Sequence, residues 1–292
     1  MQGELSISKS RFIDFVTLAK PELTLLSVAT AVCGGYIAGP VHGMYLLLFH
    51  VFLGTLLVGS GAGALNQYRE RQYDALMHRT ANRPIPSGRV RPVEALVFGC
   101  SISILGVAEL FWGTNAVAAG LSVATITTYL FLYTPLKRLT PAATLVGALP
   151  GALPPVIGWV AVRGTLGIEP LVLFAILFFW QIPHFLSLAW LYKADYVRAG
   201  YRILTAVDPG GARTSANILV YSGMMVTSSF LPVILGLDYP VFGAAAAILG
   251  ILFLSTCLGF IRSRTASGAR KLFLASLIYL PALFSFLIIF RV

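Results

Sequence analysis

The sequence predicts an all-α, polytopic membrane protein with nine transmembrane helices. Of its 292 residues, 57% are hydrophobic and only 11% are charged, whereas an ordinary soluble domain carries roughly 25% charged residues. So few charges cannot cover the surface of a soluble protein of this size, and we expect lipid to replace water over most of it. The number of long apolar segments and the uneven distribution of basic residues support the same fold class.

Nine segments reach the length of about 20 mostly apolar residues that a helix needs to cross a bilayer. Several connections between them are short, such as GPVHG and WGTN, so we expect neighbouring helices to be antiparallel. In chain order the predicted spans are 21–39, 45–66, 93–111, 115–133, 142–162, 170–192, 215–236, 240–260 and 271–290.

The remaining segments are predicted to lie at the cytoplasmic face. They are an N-terminal segment at 1–19 and two long polar loops at about 67–92 and 193–214. The helix of the second span is expected to continue to His78, because nothing between Asn66 and His78 breaks it. With no separate soluble domain, the chemistry is expected at the membrane face.

The basic residues predict the orientation. If the N-terminus is cytoplasmic, all of the 21 lysines and arginines except Arg163 and Arg291 fall on the cytoplasmic side. This asymmetry predicts a cytoplasmic N-terminus and an outside C-terminus, in agreement with an odd number of spans. It also explains the net charge of +10 without a nucleic-acid partner. The N-terminal stretch resembles neither a signal peptide nor an organelle presequence, which favours a bacterial or archaeal plasma membrane.

Polar side chains recur every four residues at the end of the second span. Asn66, Glu70 and Asp74, followed by His78, advance by about 400° at each step of an α-helix and therefore share one stripe. Two carboxylates and an amide offer the hard oxygen ligands that Mg²⁺ prefers when substrate phosphate oxygens complete its coordination. The pattern indicates a site for Mg²⁺ and a diphosphate.

Arg79 and Arg83 follow this stripe and supply the planar guanidinium groups that suit phosphate oxygens. The alternative is an amphipathic juxtamembrane helix, whose acids pair with nearby bases and whose arginines contact anionic lipid. The depth of Asn66 favours a functional site, since polar residues inside a span usually face a cavity or the bundle interior. We interpret His78 as a solvated side chain.

A second polar group lies in FFWQIPHFLSLAWLYKADYVRAGYRIL, at the end of the sixth span. Pro183 is expected to break this helix near mid-membrane depth and to free main-chain carbonyls. His184 stands beside it, and an ionisable group inside a span is typically functional. It could bind a haem iron or carry a proton, or it could hydrogen-bond a neighbouring helix.

Further charged residues are predicted at the same face. Asp195 is grouped with Lys193 and Arg202, and the motif YTPLKRLTP after the fourth span adds Tyr133 and Lys137. A departing diphosphate needs positive charge and hydrogen-bond donors, so we predict that these side chains bind it from the other side. Asp195 is also a candidate metal ligand, whereas Lys137 has the alternative role of a topology signal.

Three long motifs carry a resemblance to a known family: NQYRERQYDALMHRTANRPIP, YTPLKRLTPAATLVGALPGALPPVIGW and WQIPHFLSLAWLYKADYVRAGYRIL. Through them the chain resembles the intramembrane prenyltransferases of the UbiA superfamily, from about Lys20 through the ninth span. The resemblance implies one prenyltransferase domain over 1–292, with a central cavity open to the membrane and farnesyl diphosphate held through Mg²⁺ and basic side chains.

By motif, Asn66, Glu70 and Asp74 match the first metal–diphosphate motif of that family. The basic residues of this motif are here Arg79 and Arg83. Asp195 matches the first acid of its second motif. The family usually has DxxxD there, but position 199 is Ala, so the second pair of carboxylates is incomplete.

The histidine of PHF and the alanine variant of the second motif look like the branch that farnesylates haem. This resemblance implies that a vinyl group of haem B becomes a hydroxyethylfarnesyl group, giving haem O, with haem A synthase or oxidase assembly proteins as partners. Two alternatives stay open: a prenyltransferase with a phenolic or chlorophyll-type acceptor, and a non-catalytic haem or lipid transporter. The acid–amide stripe beside the arginines argues against a transporter.

Overall fold

A computed structural model of the protein describes residues 11–237 and 239–290, and all regular elements in these ranges are helices. The predicted N-terminal segment therefore lies partly outside the described residues. The helices, in chain order, are α1 Arg11–Leu18, α2 Pro21–Ile37, α3 Met44–Asp74, α4 Pro92–Gly113, α5 Ala116–Leu136, α6 Ala143–Arg163, α7 Ile168–Leu191, α8 Lys193–Arg198, α9 Leu204–Val207, α10 Ala212–Ile234, α11 Pro240–Ser263 and α12 Ala266–Ile289.

Within the described residues, eight helices are long and apolar enough to cross a membrane. A ninth span is obtained when α1 and α2, which meet at an angle of 48°, are taken together. Eight of the nine predicted segments coincide with these eight helices, and the predicted first span, 21–39, coincides with α2, which counts as a span only together with α1. The predicted helical membrane fold is confirmed. The orientation of the termini stays a prediction.

Small residues let some helices approach each other closely. A Cβ atom built on Gly158 of α6 would lie 1.7 Å from the carbonyl oxygen of Ala31 in α2, and one on Gly34 would lie 2.1 Å from that of Pro155. Lipid offers no hydrophobic driving force between helices, so close van der Waals packing between small residues holds them together. The contact between α2 and α6 therefore depends on these glycines.

The core of one half of the bundle is built around α7, which packs against α6, α10 and α12. The predicted break at Pro183 is wrong, because α7 is helical from Ile168 to Leu191. Side chains beside the proline bind α7 to its neighbours, since Trp180 donates to the main chain of α12 and Gln181 donates to the carbonyl oxygen of Ala148 in α6.

The helix α3 ends at Asp74 rather than continuing to His78. Two contacts account for this earlier end. The hydroxyl of Thr80 donates to the carbonyl oxygen of Asp74 at 2.8 Å, and the main-chain N–H groups of His78 and Arg79 point to the carboxylate of Asp195 at 3.3 and 3.5 Å. The chain therefore turns back over the end of α3.

Candidate active site

The three polar residues of the α3 stripe are buried. Asn66, Glu70 and Asp74 have 1%, 6% and 0% of their surface exposed, although they lie near the end of their helix. Each is paired with a side chain from outside α3, and these pairings define the site.

The amide of Asn66 joins three segments. Its Oδ1 accepts a hydrogen bond from the ammonium of Lys20 at 2.6 Å, and its Nδ2 donates to the hydroxyl of Thr134 at 3.3 Å. Lys20 stands between α1 and α2 with φ 48° and ψ 60°. A lysine rarely adopts this left-handed conformation, and such residues cluster at functional sites.

The carboxylate of Glu70 forms an ion pair with Lys137, which follows the end of α5. The ammonium lies 4.7 Å from the ring centre of Tyr133 and 5.8 Å from that of Tyr201. Burial lowers the pKa of Lys137, but Glu70 and the neighbouring tyrosines raise it more, so the pKa lies well above its ordinary value. Lys137 therefore places a positive charge beside Glu70 at the site.

The carboxylate of Asp74 is neutralised by Arg83. One guanidinium nitrogen of Arg83 lies 2.9 and 2.8 Å from the two carboxylate oxygens. The turn after α3 makes this contact possible, since it returns the arginine to the carboxylate nine residues earlier. A buried acid and a half-buried base thus face each other at the end of the stripe.

A π-helical turn at Thr128–Tyr133 precedes Lys137. Thr134 continues the irregular pattern by donating its hydroxyl to the carbonyl of Tyr129, five residues earlier, at 2.9 Å. Such turns inside α-helices are frequent at functional sites. The ring of Tyr133 is packed over Gly147 of α6, where an added Cβ would lie 2.6 Å from the ring.

Asp195 belongs to an adjoining group on the segment after α7. Its carboxylate accepts the two main-chain N–H groups described above and lies 3.3 Å from Arg198. Arg79 donates to the hydroxyl of Tyr196 at 2.5 Å, and its guanidinium lies 4.8 Å from the ring centre of Tyr192. The two acidic motifs are therefore connected through the loop that contains Arg79.

Three other predicted residues lie apart from these pairs. Lys193 donates to the carbonyl oxygens of Asp208 and Pro209 at 3.0 and 3.2 Å, and the ion-pair partner of Asp195 is Arg198. Arg202 has an exposed side chain, but its main-chain N–H donates to the carbonyl of Lys137 at 2.8 Å. His184 is buried within α7 and contacts α12.

The arrangement as a whole can bind an anion next to carboxylates. Four bases, Lys20, Arg79, Arg83 and Lys137, are held by acidic, amide or aromatic groups. No group of three or more His, Cys, Asp or Glu side chains in the described ranges converges on one point, so these residues provide no complete metal cage. They do fit a bound Mg²⁺ ion, which typically takes one or two protein carboxylates and completes its coordination shell with phosphate oxygens and water.

Comparison with protein families assigns residues 27–284 to the UbiA prenyltransferase family. The chain belongs to the UbiA prenyltransferase family. The match covers most of the nine-span bundle and includes every residue of the stripe, so the resemblance inferred from the three motifs is confirmed.

Two relatives of this UbiA-family protein illustrate the similarity. It is 42% identical over 287 residues to the protein named "Protoheme IX farnesyltransferase" of Solibacter usitatus (strain Ellin6076), with 95% of this chain and 98% of the relative covered. It is 40% identical over 288 residues to a protein of the same name from Koribacter versatilis (strain Ellin345), with 95% and 93% covered.

Solved structures of other proteins share the fold. One described as concerning "Digeranylgeranylglyceryl phosphate synthase in membranes" has a TM-score of 0.79 at 18% identity, covering 96% of this chain and 98% of that chain. Another, "a UbiA homolog from Archaeoglobus fulgidus bound to GPP and Mg2+", has a TM-score of 0.68 at 15% identity, covering 94% and 99%. These similarities establish the arrangement of helices.

Sequence reasoning missed several members of the UbiA-family site. Lys20, Thr134 and Tyr201 were not predicted, since they come from three different segments and belong to no regular spacing. The one local signal for Lys20 is its position directly before Pro21, at the start of a span. The π-helical turn left no signal in the apolar stretch that forms it.

Proposed function

We propose that this UbiA-family protein transfers a farnesyl group from farnesyl diphosphate to a vinyl group of haem B, giving haem O. The observation that carries the diphosphate part is the buried set of paired acids and bases at the end of α3. The acceptor is proposed from the relatives. They are named "Protoheme IX farnesyltransferase" and align with nearly the whole length of this chain.

Asn66, Glu70 and Asp74 would hold Mg²⁺ through the diphosphate, with Asp195 as a further ligand from the opposite segment. Each of these four side chains is buried and offers an oxygen atom. A bound Mg²⁺ would neutralise charge on the diphosphate as the carbon–oxygen bond breaks. The description of the Archaeoglobus fulgidus homologue as bound to GPP and Mg²⁺ supports the use of Mg²⁺ with a prenyl diphosphate.

The basic side chains would stabilise the diphosphate as it departs. Arg83 and Lys137 already lie beside the two carboxylates, so a bound diphosphate would receive their charge at short range. Arg79 and Tyr133 would donate from the loop after α3 and from the π-helical turn, and Lys20 joins this set. Donors that are fixed before the reaction need no reorganisation when the charge develops. Lys193 and Arg202 lie apart from these bases on the segment after α7, and they would contact the diphosphate only after their side chains turn toward it.

The reaction is an alkyl transfer that balances without an added oxidant. The allylic carbon–oxygen bond of farnesyl diphosphate breaks, and the diphosphate leaves with the electron pair. The vinyl π-electrons of haem B form the new carbon–carbon bond, and water adds to the resulting carbocation and loses a proton. The predicted apolar central cavity would dissolve the farnesyl chain and exclude water from the first cation.

The protein is a multi-pass membrane protein, and we place it in a bacterial or archaeal plasma membrane with its N-terminus in the cytoplasm. The site and both long polar loops then face the cytoplasm, where a soluble diphosphate is available. Residues 1–292 would act as one domain. Haem A synthase or oxidase assembly proteins would receive the product on its way to haem–copper oxidases.

The decisive experiment is an incubation of the purified protein with haem B, farnesyl diphosphate and Mg²⁺, followed by mass spectrometry of the haems. We expect a product heavier than haem B by one farnesyl and one hydroxyl group. Unchanged haem would reject the acceptor, and prenylation of a phenolic acceptor under the same conditions would assign the protein to quinone synthesis instead.

A further inference from the structure

His184 is enclosed by aromatic rings from two helices. The side chain is 7% exposed, and its ring is stacked with that of Trp180 of α7 at 4.7 Å and that of Phe273 of α12 at 4.9 Å between centres. Two rings stacked this closely occupy the two faces of the imidazole. Only the edge of the ring, with its two nitrogen atoms, is left for polar contacts.

One of these nitrogens has a partner on α12. Nδ1 of His184 lies 2.8 Å from Oγ of Ser276, and the same Oγ donates to the carbonyl oxygen of Phe273 at 2.5 Å. A serine hydroxyl has one proton to donate and two lone pairs that accept. Both hydrogen bonds of this hydroxyl can form at once only if it donates to Phe273 and accepts from His184, which assigns a proton to Nδ1.

The neutral ring of His184 therefore has its lone pair on Nε2. This nitrogen forms no hydrogen bond with any described residue. A neutral imidazole binds a metal through its unprotonated nitrogen, and the hydrogen bond made by the other nitrogen decides which one that is.

A second contact prevents the ring and its partner from separating. The indole N–H of Trp180 donates to the main-chain carbonyl of Ser276 at 2.9 Å. Two ring N–H groups, one helical turn apart on α7, thus donate hydrogen bonds to the same serine of α12. Rotation of His184 would break its bond to Ser276 and the stacking on both faces.

We infer that Ser276 is a positioning residue, which selects the Nδ1-protonated tautomer of His184 and so presents Nε2 to the iron of the haem substrate. This inference rests on the proposed function for the identity of the ligand. The tautomer itself follows from the hydrogen bonds of the two side chains. It assigns a role to the ninth span, where sequence reasoning had placed no functional residue.

The first test needs neither haem nor activity. The chain contains four histidines, so ¹⁵N-histidine labelling of the full-length protein in detergent gives few ring signals, and His184→Ala identifies those of His184. We expect the wild-type protein to show a protonated Nδ1 and an unprotonated Nε2. In Ser276→Ala we expect a mixture of tautomers, whereas Ser276→Thr, which keeps the hydroxyl, should retain the wild-type pattern.

Ser222→Ala is the matched control, because it also removes a buried serine hydroxyl, here one paired with Cys257. It should leave the His184 signals unchanged. A protonated Nε2 in the wild-type protein, or an unaltered tautomer in Ser276→Ala, would overturn the positioning role.

The second test is a haem B titration followed by absorbance. Loss of a group that orients a metal ligand typically lowers metal affinity by 10–100-fold, so we expect a loss of about that size in Ser276→Ala, and none in Ser222→Ala. An identical haem spectrum in His184→Ala would overturn the assignment of Nε2 as the iron ligand. If haem binds as expected but no farnesylated haem forms in the wild-type protein, the proposed function fails while the assignment of Ser276 stands.

Discussion

The ammonium group of Lys137 and the carboxylate of Glu70 form an ion pair between the end of α5 and the last turns of α3. The side chains are 12% and 8% exposed, so both charges are largely removed from water. A buried pair of this kind is costly to break, because the remaining charge loses its partner. The ammonium group of Lys137 also lies where an incoming diphosphate would compete with Glu70 for it.

Replacing Lys137 by Met is expected to destabilise the protein by about 3–5 kcal/mol, since it leaves Glu70 buried and unpaired. The double variant with Glu70→Gln should recover most of this loss. Thermal unfolding in detergent measures both effects. Arg11→Met, which breaks an exposed pair with Glu94, is the control and should barely shift Tm. Equal loss in the single and double variants would contradict the pairing.

Asp74→Asn and Asn66→Ala are expected to abolish haem O formation while the protein remains folded. Removal of one preorganised group at a developing charge typically costs about 10²–10³-fold in rate, and Asp74 also fixes Arg83. The haem product is measured by mass spectrometry, and size-exclusion chromatography checks that each variant remains folded and monodisperse. Glu94→Gln, which changes an acid outside the site, should retain wild-type turnover. Near-normal rates in either site variant would remove that residue from the mechanism.

Lys20→Met is expected to weaken the use of farnesyl diphosphate. A charge-assisted hydrogen bond contributes about 1.5–3 kcal/mol, which corresponds to roughly 10–100-fold in kcat/KM. Steady-state kinetics with varied farnesyl diphosphate test this. Lys271→Met is the control, since that base is exposed on α12. An unchanged kcat/KM would show that Lys20 neither binds the diphosphate nor positions Asn66 for the reaction.

Gly147→Ala is expected to lower activity because the new methyl group would lie 2.6 Å from the ring of Tyr133. The ring must move, and the π-helical turn that positions it must shift too. Gly120→Ala, on the same span as Tyr133, meets nothing within 4 Å and should be neutral or slightly stabilising. The activities of the two alanine variants are measured side by side. Equal activities would show that the position of Tyr133 is unimportant for the reaction.

Chelation with EDTA is expected to stop turnover, and added Mg²⁺ should restore it. The same treatment should leave Tm in the absence of diphosphate almost unchanged, because the protein supplies too few ligands to hold the ion alone. Turnover assays and thermal unfolding, each with and without EDTA, separate these effects. Full activity in EDTA would exclude the proposed metal–diphosphate site, and a large fall in Tm would indicate a structural metal.

The parts of the site that could be predicted are those with a regular period along one helix. Asn66, Glu70 and Asp74 follow the helical repeat, and their polarity inside an apolar segment marks them out. Arg83 was found because it is near in sequence. Lys20 and Ser276 could not be found this way, since their partners lie 46 and 92 residues away and no local spacing reports such contacts.

Two predictions about helix continuity were wrong. Pro183 was expected to break α7, but α7 is continuous, and Trp180 beside the proline donates to α12. The helix α3 was expected to reach His78, but Thr80 and Asp195 bind the groups that would have continued it. Local propensity is a weak guide where side chains from other helices complete the hydrogen bonds.

The sequence by itself determined the membrane environment, the approximate positions of the apolar spans, the family and the acid–amide stripe, because hydropathy and helical period are local properties of the chain. Only the tertiary structure decided which base neutralises which acid, which tautomer His184 adopts, and that Lys20 and Ser276 take part. These depend on distances between segments far apart in sequence, and in a medium that cannot solvate charge each buried polar group is defined by the partner that packing brings to it.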